Sequence, residues 1–116
     1  MIIDTKTGRP ALGNGGGGLS GRGIHPIAVR AISDIYGRIP GVPIVGVGGV
    51  SNGLEALEMM LAGASAVQVG TASFADPRAA YRIAGELCKW AERNKISSWS
   101  EVIGLSHRGG FHDSGK

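Results

Sequence analysis

Cysteine is almost absent from this sequence: Cys88 stands alone, which excludes an internal disulfide and fits a reducing compartment. Aromatic residues are scarce as well, at 5% of 116 residues, and the net charge of +3 is spread along the chain. Without a basic stripe interleaved with aromatics, we expect no nucleic-acid binding. No apolar run reaches the roughly 18 residues of a membrane span, and no signal peptide opens the chain. We therefore expect a cytoplasmic protein without a membrane contact.

Glycine is the residue in excess, at 21 of 116 positions, well above the usual share of about 7%. The remaining pattern alternates between helical and extended segments. Asp76-Pro77 is a typical helix start, and Asn52 with Glu55 three residues later is another. The pattern predicts helices over residues 24–36, 53–62 and 77–93, and strands over residues 43–47 and 65–69.

The two predicted strands show no polar alternation, which is typical of a parallel sheet buried on both faces. In the helices, Leu54, Leu57 and Leu61 are expected to face inward, and Cys88 is expected to be a packing residue. Two strands cannot form a finished sheet with two covered faces. We therefore expect either a part of a larger α/β structure or a chain that associates to complete one.

Small residues follow both predicted strands, as Gly48-Gly49 and Gly70-Thr71. In parallel α/β folds, ligands gather at the carboxyl ends of the strands. Glycine lets backbone N–H groups approach an anion, and the helix that follows adds unpaired N–H groups. One interpretation is that these glycines only allow tight turns. Because two such turns occur 22 residues apart, we favour a phosphate clamp, as found after strands seven and eight of (β/α)8 barrels.

The segment GNGGGGLSG, residues 13–21, matches the dinucleotide pattern G-x-G-x-x-G twice. That pattern needs a preceding strand, whereas Pro10 and charged residues precede it here. We interpret the segment either as a mobile loop or as a backbone-lined wall over a planar ligand. An apolar cluster near the end of the chain comprises Trp99, Val102, Ile103 and Leu105.

Residue patterns for catalysis or metal binding are not convincing. His25 is near a helix start and is expected to be a surface or capping residue rather than a base. His107 and His112 have no neighbouring carboxylate or cysteine pattern, so we expect no metal site. Ser20 has no neighbour that would activate it as a nucleophile.

Three stretches together carry a family resemblance: GGLSG at 17–21, IHPIAVRAI at 24–32, and PIVGVGGVSNGLEALEMMLAGASAVQVGTASF at 43–74. With the opening IDTKTGRPALGNGGGGLSG, they resemble the C-terminal part of dihydroorotate dehydrogenase. The similarity covers nearly all of residues 2–106. It is strongest to the NAD-linked branch, whose catalytic subunit works with an iron–sulfur, FAD-carrying partner.

The resemblance implies an α/β fold that is the C-terminal part of a (β/α)8 TIM barrel, with about two βα units and flanking helices. A barrel of this kind has about 250 residues, so this chain is expected to be incomplete as a barrel. By resemblance, residues 1–116 are the C-terminal portion of an FMN-binding domain. Residues 1–23 are expected to be a glycine-rich loop region, and residues 109–116 a disordered tail.

The resemblance also implies a cofactor and its ligands. The family uses FMN to oxidise dihydroorotate to orotate in pyrimidine biosynthesis. By this likeness Gly21 lines the FMN, and the phosphate is held by Gly48, Gly49, Gly70 and Thr71.

The family's catalytic cysteine, FMN-contacting lysine and substrate-binding asparagines are expected upstream of Met1. We therefore expect no catalytic residue in this chain, and Cys88 does not match the catalytic position. The expected partners are dihydroorotate or orotate, an iron–sulfur/FAD subunit, and either further copies of the chain or a missing N-terminal half. Alternatives are another FMN- or phosphate-binding barrel, such as a dihydropyrimidine dehydrogenase-type domain, and a non-catalytic half-barrel that binds phosphate.

Overall fold

Residues 1–111 are described by the structure, a computed structural model. The chain opens with an antiparallel hairpin of β1 (Ile3–Asp4) and β2 (Arg9–Pro10). A glycine-rich stretch and a 3-10 turn at Arg22–Ile24 lead into α1 (His25–Arg38). The order then alternates through β3 (Val45–Val47), α2 (Gly53–Ala62) and β4 (Ala66–Gln68). The remaining helices are α3 (Ala72–Ala75) and α4 (Ala79–Arg93), followed by 3-10 turns at Trp99–Glu101 and Leu105–Arg108.

The second sheet positions the candidate site. Strands β3 and β4 are parallel, with Val45 opposite Ala66 and Val47 opposite Gln68. The predicted α/β alternation and the parallel pairing are therefore confirmed. Gly46 brings the helices close to the sheet, because a Cβ there would lie 2.9 Å from the Met59 sulfur and 3.1 Å from the Ile32 Cδ1 atom.

Packing between the helices and one face of this sheet forms the core. Met59 of α2 is fully buried at its centre. Its buried neighbours include Ile32, Ile44, Val50, Ala56, Ala64 and Ile83. A second cluster, built around Leu57, Met60 and Val102, anchors the C-terminal turns. Trp99 and Ile103 pack against this second cluster, which confirms the predicted apolar role of the segment.

Several burial predictions are wrong. Val45 and Val47 are 57% and 53% exposed, because residues 1–111 supply no layer over the second face of the sheet. Leu54 is 68% exposed, since it lies at the margin of the α2 stripe while Ala56, Met59 and Met60 face inward. Cys88 is exposed on α4 rather than packed.

Local hydrogen bonds and a ring contact are present in the described parts of both predicted end segments. Within the predicted loop region 1–23, the Asp4 carboxylate accepts bonds from the Lys6 N–H and the Thr7 hydroxyl, which closes the β1–β2 hairpin. In the predicted tail 109–116, the Gly110 N–H donates to Leu105, and the Phe111 ring lies 5.8 Å from that of Trp90. His112 and the rest of that tail lie outside the described residues.

The third predicted helix begins slightly late, since α4 starts at Ala79, two residues after the predicted start at residue 77. Gly70-Thr71 leads directly into the additional single turn α3. Asp76 still acts at this junction, because its carboxylate accepts a bond from the Arg78 N–H at 2.9 Å. No helix within residues 1–111 combines the length and apolar character needed to cross a bilayer.

Candidate functional site

A cavity of about 330 Å³ opens where the two glycine turns leave β3 and β4. The first turn contributes residues 49–51 to its walls, and the second turn with α3 contributes residues between 70 and 76. Residues 21–22 and Arg82 of α4 complete the lining. Gly21, Gly49, Gly70 and Thr71 therefore lie together, as the sequence predicts. Gly48 is not among the lining residues and is buried behind Gly49.

The first turn requires glycine for backbone packing. Gly49 has a φ of +69°, and a Cβ there would lie 2.6 Å from the Gly21 carbonyl oxygen. Gly21 itself has φ 93° and ψ −175°, a conformation essentially restricted to glycine. Gly48 has a φ of +136°, and its added Cβ would lie 2.7 Å from that of Ala28. The turn after β3 therefore packs closely against both α1 and the 3-10 turn, with no room for a side chain.

The second turn has no such steric requirement. An added Cβ at Gly70 meets no atom of the described chain within 4 Å, and its φ lies outside the left-handed range. Within residues 1–111, no acceptor takes a hydrogen bond from the N–H groups of Thr71 and Ala72, or from those of Gly49 and Val50. Both turns therefore bring unused donors to the cavity wall.

Glu55 of α2 organises the residues between the first turn and the helix. Its carboxylate accepts bonds from the Ser51 N–H at 2.7 Å and the Ser51 hydroxyl at 2.6 Å, and it pairs with Arg22 at 2.9 Å. Burial alone would raise the pKa of Glu55, but the hydrogen bonds from Ser51 and the charge of Arg22 outweigh it and lower that pKa. The predicted cap is confirmed, since Asn52 Oδ1 accepts from the Glu55 N–H at 3.0 Å.

Arg82 of α4 reaches the cavity from the opposite side. Its guanidinium contacts Asp76 Oδ2 at 3.1 Å and Glu86 Oε1 at 2.9 Å, and it donates to the Ser51 carbonyl at 3.2 Å. The hydrogen bond from Arg82, followed by that from the Arg78 N–H, lowers the pKa of Asp76. Glu86 also accepts from the Gly53 N–H at 2.6 Å, and this bond is the main cause of its lowered pKa.

His25 supports the first turn from behind. It is 7% exposed, its Nδ1 lies 2.9 Å from the Gly48 carbonyl oxygen, and its Nε2 lies 2.9 Å from Glu58 Oε2. The expectation of a surface or capping histidine is therefore wrong. Its position 23 residues before Gly48 gives no local sequence signal for this contact.

Sequence reasoning also missed the side chains around the turns. Arg22, Ser51 and Arg82 line the cavity, and none of the three was predicted as a site residue. The one available signal was the spacing of Arg82 and Glu86, which places opposite charges four residues apart along α4.

The arrangement fits a phosphate group. Unpaired backbone N–H groups on two facing turns are suitable donors for an anion. Gly70 leaves open the space that a side chain would fill, and Arg22 and Arg82 bring cationic groups to the walls. Asp76 partly offsets that charge, so the backbone N–H groups are the main donors available to an anion.

Comparisons with known proteins give a consistent result. A family model described as dihydroorotate dehydrogenase matches residues 1–90. The chain is 51% identical over 104 residues to the protein named dihydroorotate dehydrogenase B (NAD(+)), catalytic subunit, of Citrifermentans bemidjiense, covering 90% of this chain and 34% of that protein. The protein of the same name from Geobacter sulfurreducens is 49% identical with the same coverage. The chain spans about a third of the length of these curated relatives.

A solved structure agrees with the sequence comparisons. The crystal structure of DHODH in complex with ferulenol from Eimeria tenella superposes with a TM-score of 0.75 at 34% identity. The match covers 93% of this chain and 29% of that one. The similarity therefore extends over almost the whole of this chain and less than a third of the larger protein.

Proposed function

Since this chain belongs to the dihydroorotate dehydrogenase family, we propose that it contributes the phosphate-binding part of an FMN site. The predicted fold is confirmed, because the chain superposes on a DHODH structure while residues 1–111 form two short sheets and no closed barrel. The observation that supports the proposal best is the pair of glycine turns facing one cavity with unused N–H groups.

Each predicted ligand has a distinct place in this proposal. The N–H groups around Gly49 and those of Thr71 and Ala72 hold the phosphate from two sides. Gly70 has no side chain, which leaves the space between these N–H groups open for the phosphate. Gly21 forms the wall beside the first turn, and Gly48 shapes that turn from the buried side. This assignment gives the chain a binding role without a proton-transfer role.

The proposed reaction of the complete protein is oxidation of dihydroorotate to orotate in pyrimidine biosynthesis. FMN supplies the hydride acceptor when it is bound. The catalytic base and the substrate-binding residues are proposed to come from outside this chain, and an iron–sulfur/FAD subunit is proposed as the electron-transfer partner, as in the NAD-linked branch. Assembly with further copies or with an N-terminal half belongs to the same proposal, as does a cytoplasmic location.

Titration of the purified chain with FMN, followed by flavin fluorescence, tests the phosphate assignment. Riboflavin is the control ligand because it has the same ring system and lacks the phosphate. We expect saturable FMN binding and riboflavin binding weaker by about tenfold or more, the effect of one or two charge-assisted hydrogen bonds. Equal affinity for the two flavins, or binding of neither, would contradict the proposal that this chain holds the phosphate.

A further inference from the structure

We propose that Arg82 is a positioning residue that fixes the spacing between the two glycine turns. The inference rests on the proposed function in one respect, namely that the ligand between the turns is the FMN phosphate. Arg82 lies on α4, outside both turns and outside every motif recognised in the sequence. Its role follows from what its guanidinium joins.

The guanidinium bridges the segments that follow the two turns. The Nη2 atom donates to the Ser51 carbonyl oxygen at 3.2 Å, and Ser51 comes two residues after Gly49. The Nε atom donates to Asp76 Oδ2 at 3.1 Å, and Asp76 ends the short α3 segment that begins after Thr71. A single rigid, planar group is thus hydrogen-bonded to the segment that follows each turn.

The Ser51 end of this bridge and the guanidinium itself are held in place by further contacts. Ser51 is fixed by Glu55, which accepts bonds from its N–H and its hydroxyl. On α4, Glu86 contacts Arg82 Nη1 at 2.9 Å and also accepts from the Gly53 N–H at the start of α2. Because the guanidinium is held by Glu86 and is the group that joins Ser51 to Asp76, a change at residue 82 removes the connection between the two turns.

Charge alone does not explain the arrangement. Asp76 and Glu86 both pair with Arg82, so their two carboxylates offset the guanidinium charge near the cavity. A guanidinium carries five N–H groups in a fixed fork, and three of them are used in these contacts. Lysine has the same charge but a single nitrogen, and it cannot reproduce a fork that spans two segments.

Two substitutions separate geometry from charge. Arg82→Lys keeps the charge and removes the fork, whereas Arg82→Met removes both. Arg93→Met is the matched control, because Arg93 lies on the same helix and, among residues 1–111, its side chain donates a hydrogen bond only to the Lys89 carbonyl, outside the cavity. The side chain of Arg82 is 43% exposed, so each variant is expected to fold, which its thermal unfolding curve verifies.

The first measurement is the affinity of each variant for FMN and for riboflavin. We expect both Arg82 variants to lose about fivefold to tenfold in FMN affinity, with unchanged riboflavin affinity and an unaffected Arg93→Met control. Arg82→Lys binding FMN as tightly as the unaltered chain would overturn the proposal, because the charge alone would then suffice.

The second measurement is amide hydrogen exchange of the ligand-free chain. We expect faster exchange at the hydrogen-bonded N–H of Ser51, after the first turn, and at those of Ser73 and Phe74, after the second, in both Arg82 variants. We expect no change in Arg93→Met. Acceleration at one turn only, or at neither, would overturn the bridging role. If the unaltered chain binds no FMN, the proposed function fails, and the exchange data still decide the role of Arg82.

Discussion

The Nδ1 atom of His25 lies 2.9 Å from the carbonyl oxygen of Gly48, so the first residue of α1 holds the turn that follows β3. A carbonyl oxygen only accepts hydrogen bonds, so Nδ1 is the donor. The same ring reaches Glu58 of α2 through Nε2. Three consecutive elements of the chain therefore meet at one buried imidazole.

Replacing His25 by alanine is expected to destabilise the chain by about 1–3 kcal/mol, because the buried Gly48 carbonyl loses its donor. Urea unfolding at neutral pH measures the change. His107→Ala is the control: that ring is exposed and contacts Ser33 and Tyr36 at the surface, so its loss should cost less. Equal decreases in the free energy of unfolding in the two variants would show that the His25–Gly48 contact stabilises the chain no more than a surface contact does.

Gly49→Val is expected to abolish FMN binding with little change in helical content. The new side chain would collide with the Gly21 carbonyl and would require an L-residue at φ +69°, a strain of about 1–3 kcal/mol. Flavin titration and far-ultraviolet circular dichroism measure the two effects. Gly23→Ala is the control, because a Cβ at Gly23 meets no described atom within 4 Å. Unaltered FMN affinity in Gly49→Val would rule out the clamp assignment.

Gly70→Ala probes the ligand rather than the fold. The added methyl group contacts nothing in the described chain, so stability should stay within about 0.5 kcal/mol. The methyl group would occupy the space that we propose for the phosphate. We expect weaker FMN binding with an unchanged unfolding midpoint. Gly85→Ala, on the exposed side of α4, is the matched control and should retain full affinity. If the unfolding midpoint falls together with the FMN affinity, the result would indicate a structural role for Gly70.

Glu55→Gln should destabilise the chain in a pH-dependent way. Hydrogen bonds from Ser51 and the charge of Arg22 keep the pKa of Glu55 below its ordinary value of 4.5. Ionised Glu55 therefore favours the folded state above about pH 4.5, and this contribution is lost as the pH falls through the lowered pKa. Urea midpoints of the two proteins should differ at pH 7 and converge towards pH 3. A difference independent of pH would show that the charge of Glu55 does not matter.

Much of the fold follows from local sequence patterns. The periodic apolar residues of α1 and α2, the Asn52 cap and the short β-branched runs are local signals, and each predicts its element within a few residues. The glycine turns were predictable too, because consecutive parallel strands bring their carboxyl ends together. These features depend on spacing alone.

The misses depend on contacts between distant residues. His25 and Gly48 are 23 positions apart, and Arg82 and Ser51 are 31 apart, so no local pattern reveals either contact. The exposed Val45 and Val47 were mispredicted for another reason. Their sequence is suited to a sheet with two covered faces, whereas residues 1–111 supply one cover.

Because one face of the β3–β4 sheet is uncovered, the exposure of this sheet indicates whether the barrel around it is closed. Each strand has one hydrogen-bonded neighbour within the described chain. We therefore expect the amide hydrogens on the outer edge of each strand to exchange readily while the chain is alone. Insertion into a closed barrel would pair those edges and bury Val45 and Val47. Hydrogen-exchange protection factors at these few amides would therefore measure barrel closure directly, without the need for flavin, substrate or turnover.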